Sequence, residues 1–538
     1  MVTVRQIGPF YLIPGVFYFF LWLIAKPGMF FDLDSASMLV SALHINNAFD
    51  GAHSILQTFM LWCSLQITYD LSFWFFVQLA LAAFCLGASA HCLYKYGIIS
   101  KIKAIIMVSF FTFYPTFYSY ALGTGRDFMF CVFLLLFLCL LIASISQNGS
   151  TFLSPKFSVV FMIVTFMMLG FRKNSLPILI VAFIVCIVIF KLKSVRVGVI
   201  KSFAVVILLT LVVNIFGGFV NGVNIGGGGG WSGAFSIPKQ QVASVASDKN
   251  IVISPVDRFR LSQLNTKWDE YYPLSADSVS YDNGEPGVFD NSSLAPDFFR
   301  LWIKFGLQHP IHYIKAFALN ESLYFFPLAQ DANYDLTIAD IEEDNPSEFF
   351  RQNFAAKIMK RYFDCYLPDD FDDFEPYVKE CYDKHTILYS HNSLTNPNTN
   401  RDMSYEEFSK MFHQLFYGNS DSVAPNVINA LHHFPHIPPL GAYLFFNTAM
   451  PFYLLFVLFT SSFSPRKRKP AGKYFWPIFS IIACYFVSLV LVTPVVGMRY
   501  GLPVLYGCCL LFFVDYKRGK TRFNPFKKPP HLQKNNKD

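Results

Sequence analysis

Apolar stretches of membrane-helix length alternate with short polar turns, and one long polar segment interrupts them. Seven apolar stretches, at 9–25, 72–94, 103–122, 127–146, 157–171, 175–191 and 198–217, precede a polar insert at 218–436. Three more, at 437–461, 474–494 and 500–515, follow it. A helix needs roughly 20 apolar residues to cross a bilayer, so the pattern predicts about ten spans. The apolar positions run continuously rather than alternating, which argues against a β-barrel. The stretch at 55–67 is shorter and is broken by Gln57, Thr58 and Gln66. It reads as a helix lying at the membrane surface, and with a similar one near 35–49 it would flank His53. The first stretch follows Arg5 and ends at Lys26-Pro27-Gly28 without a small-x-small cleavage pattern. It reads as a retained helix, not a removed signal peptide.

Composition sharpens this picture. The chain is 54% hydrophobic and only 15% charged, too apolar for a water-soluble domain. The net charge of +7 comes from basic residues in short loops and the tail, so it points to membrane orientation and not to nucleic acid. Lys95, Lys101 and Lys103 mark one inner loop, and Lys191, Lys193, Arg196 and Lys201 mark another. Arg466 to Lys469 mark a third, and Lys517, Arg518, Lys520 and Arg522 mark the tail. Both termini are then cytoplasmic and the insert is external, provided that 55–67 does not cross.

The expected fold is an all-α polytopic membrane protein with a mixed, mainly helical external (periplasmic) domain. Residues 1–217 form an N-terminal transmembrane bundle, with the first outer loop at 27–71. The external domain covers 218–436, the C-terminal transmembrane helices 437–515, and a basic cytoplasmic tail 516–538. Within the insert, Gly226 to Gly230 read as a flexible connector. They lack the Lys-Ser/Thr partner of a phosphate loop. Residues 297–326 read as a helix carrying Trp302, Phe305, Tyr313, Phe317 and Leu319, and 340–385 as acidic and partly helical. Nine of the eleven cysteines lie in or beside apolar stretches, where they suit packing. The other two, Cys365 and Cys381, lie in the insert and are a candidate disulfide if it is exported.

This topology gathers polar residues at outer helix ends. Asp32, Asp34, His44 and His53 lie in the first outer loop, and Arg126-Asp127 opens the span at 127. Arg172, Lys173 and Asn174 form a tight outer turn, and Arg499-Tyr500 open the last span. Charges at membrane depth are costly and usually face a cavity. Each also has a plainer reading. Asp32 and Asp34 suit helix capping, and Arg126-Asp127 suit a local ion pair. Arg172, Lys173 and Arg499 suit snorkelling, and His53 suits an interfacial hydrogen bond. Together they suit an anionic substrate, with a carboxylate as general base and arginines holding a departing phosphate.

At these residues the chain resembles the polytopic glycosyltransferases of the GT-C fold, especially the bacterial and phage serotype-converting glucosyltransferases that decorate O-antigen. The likeness covers much of the bundle and part of the insert. It runs through Asp32-Leu33-Asp34-Ser35, then His53-Ser54 with Thr58 but without the family's proline, then Arg126-Asp127 and Arg172-Lys173-Asn174. It continues through Ile237-Pro238-Lys239-Gln240-Gln241, then His309-Pro310 with Tyr313, Asn320 and Pro327, and ends at Arg499-Tyr500-Gly501-Leu502-Pro503. The resemblance implies an inverting transferase in the bacterial inner membrane, with its active site on the periplasmic side. It would move a sugar, with glucose expected, from a polyprenyl-phosphate donor to an O-antigen or lipopolysaccharide acceptor. Asp34 is then the candidate base and Asp32 a second carboxylate. Arg126, Arg172 and Arg499 are candidates for the donor phosphate. His53, Asp127, Asn174, Gln240, Gln241 and Tyr500 are candidates for substrate contacts. Some relatives use a divalent metal, but no His/Cys/carboxylate cluster stands at ligand spacing, so neither metal nor cofactor is assigned. The rival readings are a transporter or flippase, or a polymerase, of lipid-linked glycans.

The surface placement of 55–67 has a direct check. In a background without native cysteines, Met60→Cys should react with a membrane-impermeant thiol reagent added from outside; reaction only from inside would overturn the topology.

Overall fold

The computed structural model describes residues 4–26, 54–68, 71–123, 125–172, 175–221, 235–264, 295–325, 449–462, 474–492 and 498–514, with single positions and short pieces between them. These residues are almost entirely helical. One two-stranded antiparallel pair, β1 (Thr395–Asn396) and β2 (Arg401–Asp402), occurs among them.

The bundle opens with α1 (Val4–Ala25), α2 (Ile55–Thr68), α3 (Ser72–Lys95), α4 (Lys101–Phe113) and α5 (Pro115–Leu122). It continues with α6 (Arg126–Ser146), α7 (Pro155–Phe171), α8 (Leu176–Ile189) and α9 (Lys193–Asn221). Among the described residues, four helices are long and apolar enough to cross a membrane: α1, α3, α6 and α9. The α4–α5 pair makes a fifth if taken as one bent span. Side chains such as Leu12, Phe20, Ile163, Ile180, Val188 and Leu208 point outward and exposed, a surface that suits lipid and not water. The protein is an all-α membrane protein.

Helix α6 is the centre. Every residue from Asp127 to Ile145 is buried, as expected of a helix apolar on all sides. Helices α3, α5 and α7 pack around it. At its far end the chain reverses through Gly149, at φ 81°, where a Cβ would also meet Val195 Cγ1 at 2.5 Å. That position needs glycine on both counts.

The apolar stretch at 103–122 is not one straight helix. Tyr114 is extended, Pro115 starts a new helix, and α4 and α5 meet at 52°. Proline cannot donate the hydrogen bond that would continue α4. The C-terminal end of α5 is held by the fully buried Gln78, whose Nε2 donates to the Gly123 carbonyl at 2.7 Å.

Helix α2 lies across one end of the bundle. Ser54 Oγ, just before it, donates to the Gly170 carbonyl at 2.6 Å, and Ser64 Oγ accepts from Trp74 N at 2.8 Å. Gly170 and Trp74 belong to the same end, because the Trp74 ring stacks on Phe171 at 6.2 Å. Both ends of this 14-residue helix are therefore tied at one level.

Over the described residues of 235–325 the insert is a helical layer of α10 (Ser236–Ala246), α11 (Pro255–Gln263), α12 (Ala295–Gln308), α13 (Pro310–Asn320) and α14 (Ser322–Phe325). The single helix expected over 297–326 is broken twice. His309 is non-helical ahead of Pro310, and Glu321 separates α13 from α14. Pro310 suits the first turn of a new helix, where no N–H is needed. Val242, Val245, Leu261, Phe298, Leu301 and Phe305 form the core of the layer. The last helices are α15 (Met450–Ser462), α16 (Phe475–Val492) and α17 (Met498–Phe513). Helix α17 packs on α6, α15 and α16, and α16 also packs on α8. The layer meets them through α14: the Tyr324 ring lies 5.8 Å from Phe486, and Tyr453 Oη donates to the Phe325 carbonyl at 2.9 Å.

Within the layer, Ser254 caps α11 and donates to Asp257, which also receives Lys304 Nζ from α12. Burial by itself would raise the Asp257 pKa. The hydrogen bonds from Lys304 and Ser254 outweigh it and hold the carboxyl below its ordinary value. Its contribution is therefore present above the unfolded-state pKa of about 4 and lost as pH falls through the lower folded value. Lys304 is partly solvated, so Asp257→Asn should cost about 1 kcal/mol at pH 7 and less at pH 2. Proteolysis of the layer in wild type and variant at both pH values measures this.

Candidate functional site

The site is built from helix ends. Asp127 sits in the first turn of α6, where the helix dipole favours an anion. Arg172 directly follows α7, where the dipole favours a cation, and its backbone is extended. Its carbonyl accepts from Ser175 Oγ at 2.6 Å. The Arg172 side chain itself is buried in the bundle, the residue being 5% exposed.

There Arg172 Nη1 lies 2.7 Å from Asp127 Oδ1, both side chains buried. The N–H is not aligned along this approach, so the contact is a charge pair more than a linear hydrogen bond. The guanidinium carbon also sits 4.7 Å over the Tyr500 ring, from the first turn of α17. A buried cation on an aromatic face gains up to about 2 kcal/mol. Tyr485 of α16 completes the group: it is fully buried and within charge-interaction range of Arg172, Asp127 and Tyr500. Four helices separated widely in sequence thus meet around one guanidinium. The close approach of α17 to α15 also requires Gly501, where a Cβ would meet Pro451 Cγ at 2.9 Å.

The sequence-predicted residues divide into three groups. Asp127, Arg172 and Tyr500 are brought together. The local pair proposed for Arg126 and Asp127 is replaced by the pair to Arg172, because Asp127 is turned inward. Snorkelling of Arg172 is also excluded, since the side chain is buried. Arg126 is half-buried beside them. A second group sits elsewhere. Gln240 is fully buried in the layer, with Nε2 donating to the carbonyls of Tyr272 and Pro273 at 3.0 and 3.2 Å. Gln241 Oε1 accepts from Trp302 Nε1 at 2.9 Å. Their amides are engaged in holding the layer together, which leaves only Gln240 Oε1 without a hydrogen bond among the described residues. The third group lies outside the described residues: Asp32, Asp34, His44, His53, Lys173, Asn174, the side chain of Arg499, and Cys365 and Cys381. The nine cysteines of the apolar stretches are all free thiols.

One residue escaped the sequence reading. Glu321 stands between α13 and α14, is 1% exposed, and had no motif to mark it. The only signal was its place next to Asn320 and just before Tyr324-Phe325-Phe326-Pro327.

Over residues 52–355, more than half of the chain, the sequence matches the model of a family described as a family of unknown function, DUF6020. The chain belongs to this family. No curated protein and no solved structure matches it. The DUF6020 region contains Asp127, Arg172, Gln240 and Glu321, and it leaves out Asp32, Asp34 and Tyr500.

Removing one partner of a buried ion pair strands the other. Asp127→Asn should therefore destabilise the bundle by about 3–5 kcal/mol, and adding Arg172→Met should recover most of the loss. Thermal unfolding in detergent, followed by size-exclusion recovery, compares the three proteins; equal stability of wild type and Asp127→Asn would overturn the pairing.

Proposed function

We propose that the protein is a membrane glycosyltransferase that uses a polyprenyl-phosphate sugar. The observation that carries this reading is the buried Asp127–Arg172–Tyr500 cluster, in which a guanidinium is held at one end of an apolar bundle. A guanidinium has five N–H donors in a plane, so an oriented arginine can serve both a carboxylate and a phosphate oxygen. The apolar helix surfaces below the cluster suit a polyprenyl chain.

In this reading the chain has about ten spans, with both termini in the cytoplasm and the cluster facing the periplasm of a bacterial inner membrane. Asp34 takes the proton of an acceptor hydroxyl on an O-antigen or lipopolysaccharide glycan. The hydroxyl oxygen attacks the anomeric carbon from the face opposite the phosphate. The bond from that carbon to the phosphate oxygen breaks, and polyprenyl phosphate leaves with the electron pair, inverting the configuration. Arg172, with Arg126 and Arg499, stabilises the leaving phosphate, and Asp127 orients Arg172. Asp32, His53, Asn174 and Tyr500 are assigned to the sugar.

A second reading has its own observation. The 52° break between α4 and α5 is of the kind that transporters place at substrate sites, so a flippase of lipid-linked glycans is the rival. An assay with polyprenyl-phosphate glucose and O-antigen acceptor separates the two. Wild type should transfer the sugar, and Asp34→Asn, at equal membrane level, should lose roughly 100-fold to 10,000-fold in rate. Unchanged transfer by Asp34→Asn would remove the base assignment. Movement of the lipid-linked sugar across vesicles without transfer would establish the rival.

A further inference from the structure

Glu321 is a carboxyl buried where the helical layer joins the bundle. Its Oε1 accepts from Asn320 Nδ2 at 2.7 Å, and Asn320 Oδ1 in turn accepts from Ala276 N at 3.1 Å. Its Oε2 is buried and, among the described residues, has no hydrogen-bond partner. In the same layer the buried Asn320 and Asp257 find partners, whereas Glu321 Oε2 and Gln240 Oε1 do not. The junction also lies at the end of the bundle that holds the arginine cluster. Tyr324, three residues on, packs against Phe486, the neighbour of Tyr485, and Tyr485 is within charge-interaction range of Arg172.

We propose that Glu321 is a sugar-binding residue, with Oε2 forming the hydrogen bond to a hexose hydroxyl of the lipid-linked donor or of the acceptor glycan. The inference rests on the transferase reading for its choice of ligand. Burial pushes the Glu321 pKa up to about 8, against the opposing hydrogen bond from Asn320. No charged group among the described residues contributes to that shift. The carboxyl is therefore neutral at pH 7. Because Oε1 is the acceptor for Asn320, the proton belongs on Oε2, which points a donor at the ligand. A neutral carboxyl also avoids repelling a phosphate nearby. An orphaned buried acid is costly to keep, and replacement by a well-packed apolar side chain is commonly neutral or stabilising.

The test uses the full-length protein in nanodiscs. A hydrophobic carbodiimide, which modifies protonated carboxyls in apolar surroundings, should form an adduct at Glu321 at pH 7. Saturating polyprenyl-phosphate glucose should slow this labelling about ten-fold if the donor is the source of the hydroxyl, and an O-antigen oligosaccharide should do so if the acceptor is. Sugar-free polyprenyl phosphate should not. Absence of the adduct, or equal labelling with and without both sugars, would overturn the proposal, as would protection by sugar-free polyprenyl phosphate. Two variants give an independent reading. Glu321→Met should keep or raise thermal stability while lowering kcat/KM for transfer about ten-fold, and Glu321→Gln, which retains a donor, should stay within about three-fold of wild type. Wild-type kcat/KM in a stable Glu321→Met protein would overturn the assignment. If wild type transfers nothing yet a sugar protects Glu321, the transferase reading fails and the binding site stands. If wild type transfers and no sugar protects, the Glu321 proposal alone fails.

Discussion

One buried charge, the Arg172 guanidinium, sets the terms for its end of the bundle. A cation taken out of water must find an anion, a π face or both, and here it finds Asp127 at 2.7 Å and the ring of Tyr500 at 4.7 Å. The helices that carry these partners cannot slide independently. The start of α6, the end of α7 and the start of α17 are fixed to one level, and Tyr485 brings α16 to the same place. The pairing also exploits the helix dipoles, since the anion sits at a helix start and the cation at a helix end.

Beneath that level the bundle is held mainly by packing, with few polar contacts between helices, such as Cys92 Sγ to the Cys139 carbonyl and Tyr11 Oη to His91 Nδ1. Helix α6 is buried all round and offers no polar side chain between Asp127 and Ser144, so its neighbours are positioned by shape. Polar contacts reappear at the ends. Gln78 holds the end of α5, Ser54 and Ser64 hold α2 across the top, and the Ser144–Thr151 hydroxyl pair at 2.8 Å closes the opposite turn. The buried charges of the bundle, Asp127 and Arg172 among the described residues, lie at one end, and the apolar body below it can face lipid.

The layer built from 235–325 follows different rules. Gln240, Gln241, Trp302 and Tyr313 bond to each other and to backbone carbonyls, which makes the layer rigid at the cost of engaging groups that a ligand could otherwise use. Glu321 departs from that pattern at the junction with the bundle. Rigid surroundings are what allow a single unpaired oxygen to keep its direction.

The apolar runs were long and uninterrupted, so the helices of the bundle, the short helix at 55–68 and the approximate ends of most of them were legible from the chain alone. Local backbone chemistry was also present in the letters, as Pro115 and Pro310 show, but a continuous hydrophobic signal masked it and both breaks went unread. Arg126, Asp127, Arg172 and Tyr500 were recognisable as charged or aromatic residues at helix ends. Which of them pair was not, because Asp127 is adjacent to Arg126 in sequence yet turns toward an arginine 45 residues away. Gln240 and Gln241 looked like ligand-binding side chains, and no motif marked Glu321. Burial and hydrogen-bond supply decide those roles, and both depend on residues brought together by the fold. Periodicity reports which face of a helix avoids water; only tertiary packing determines whether a polar atom on that face finds a partner.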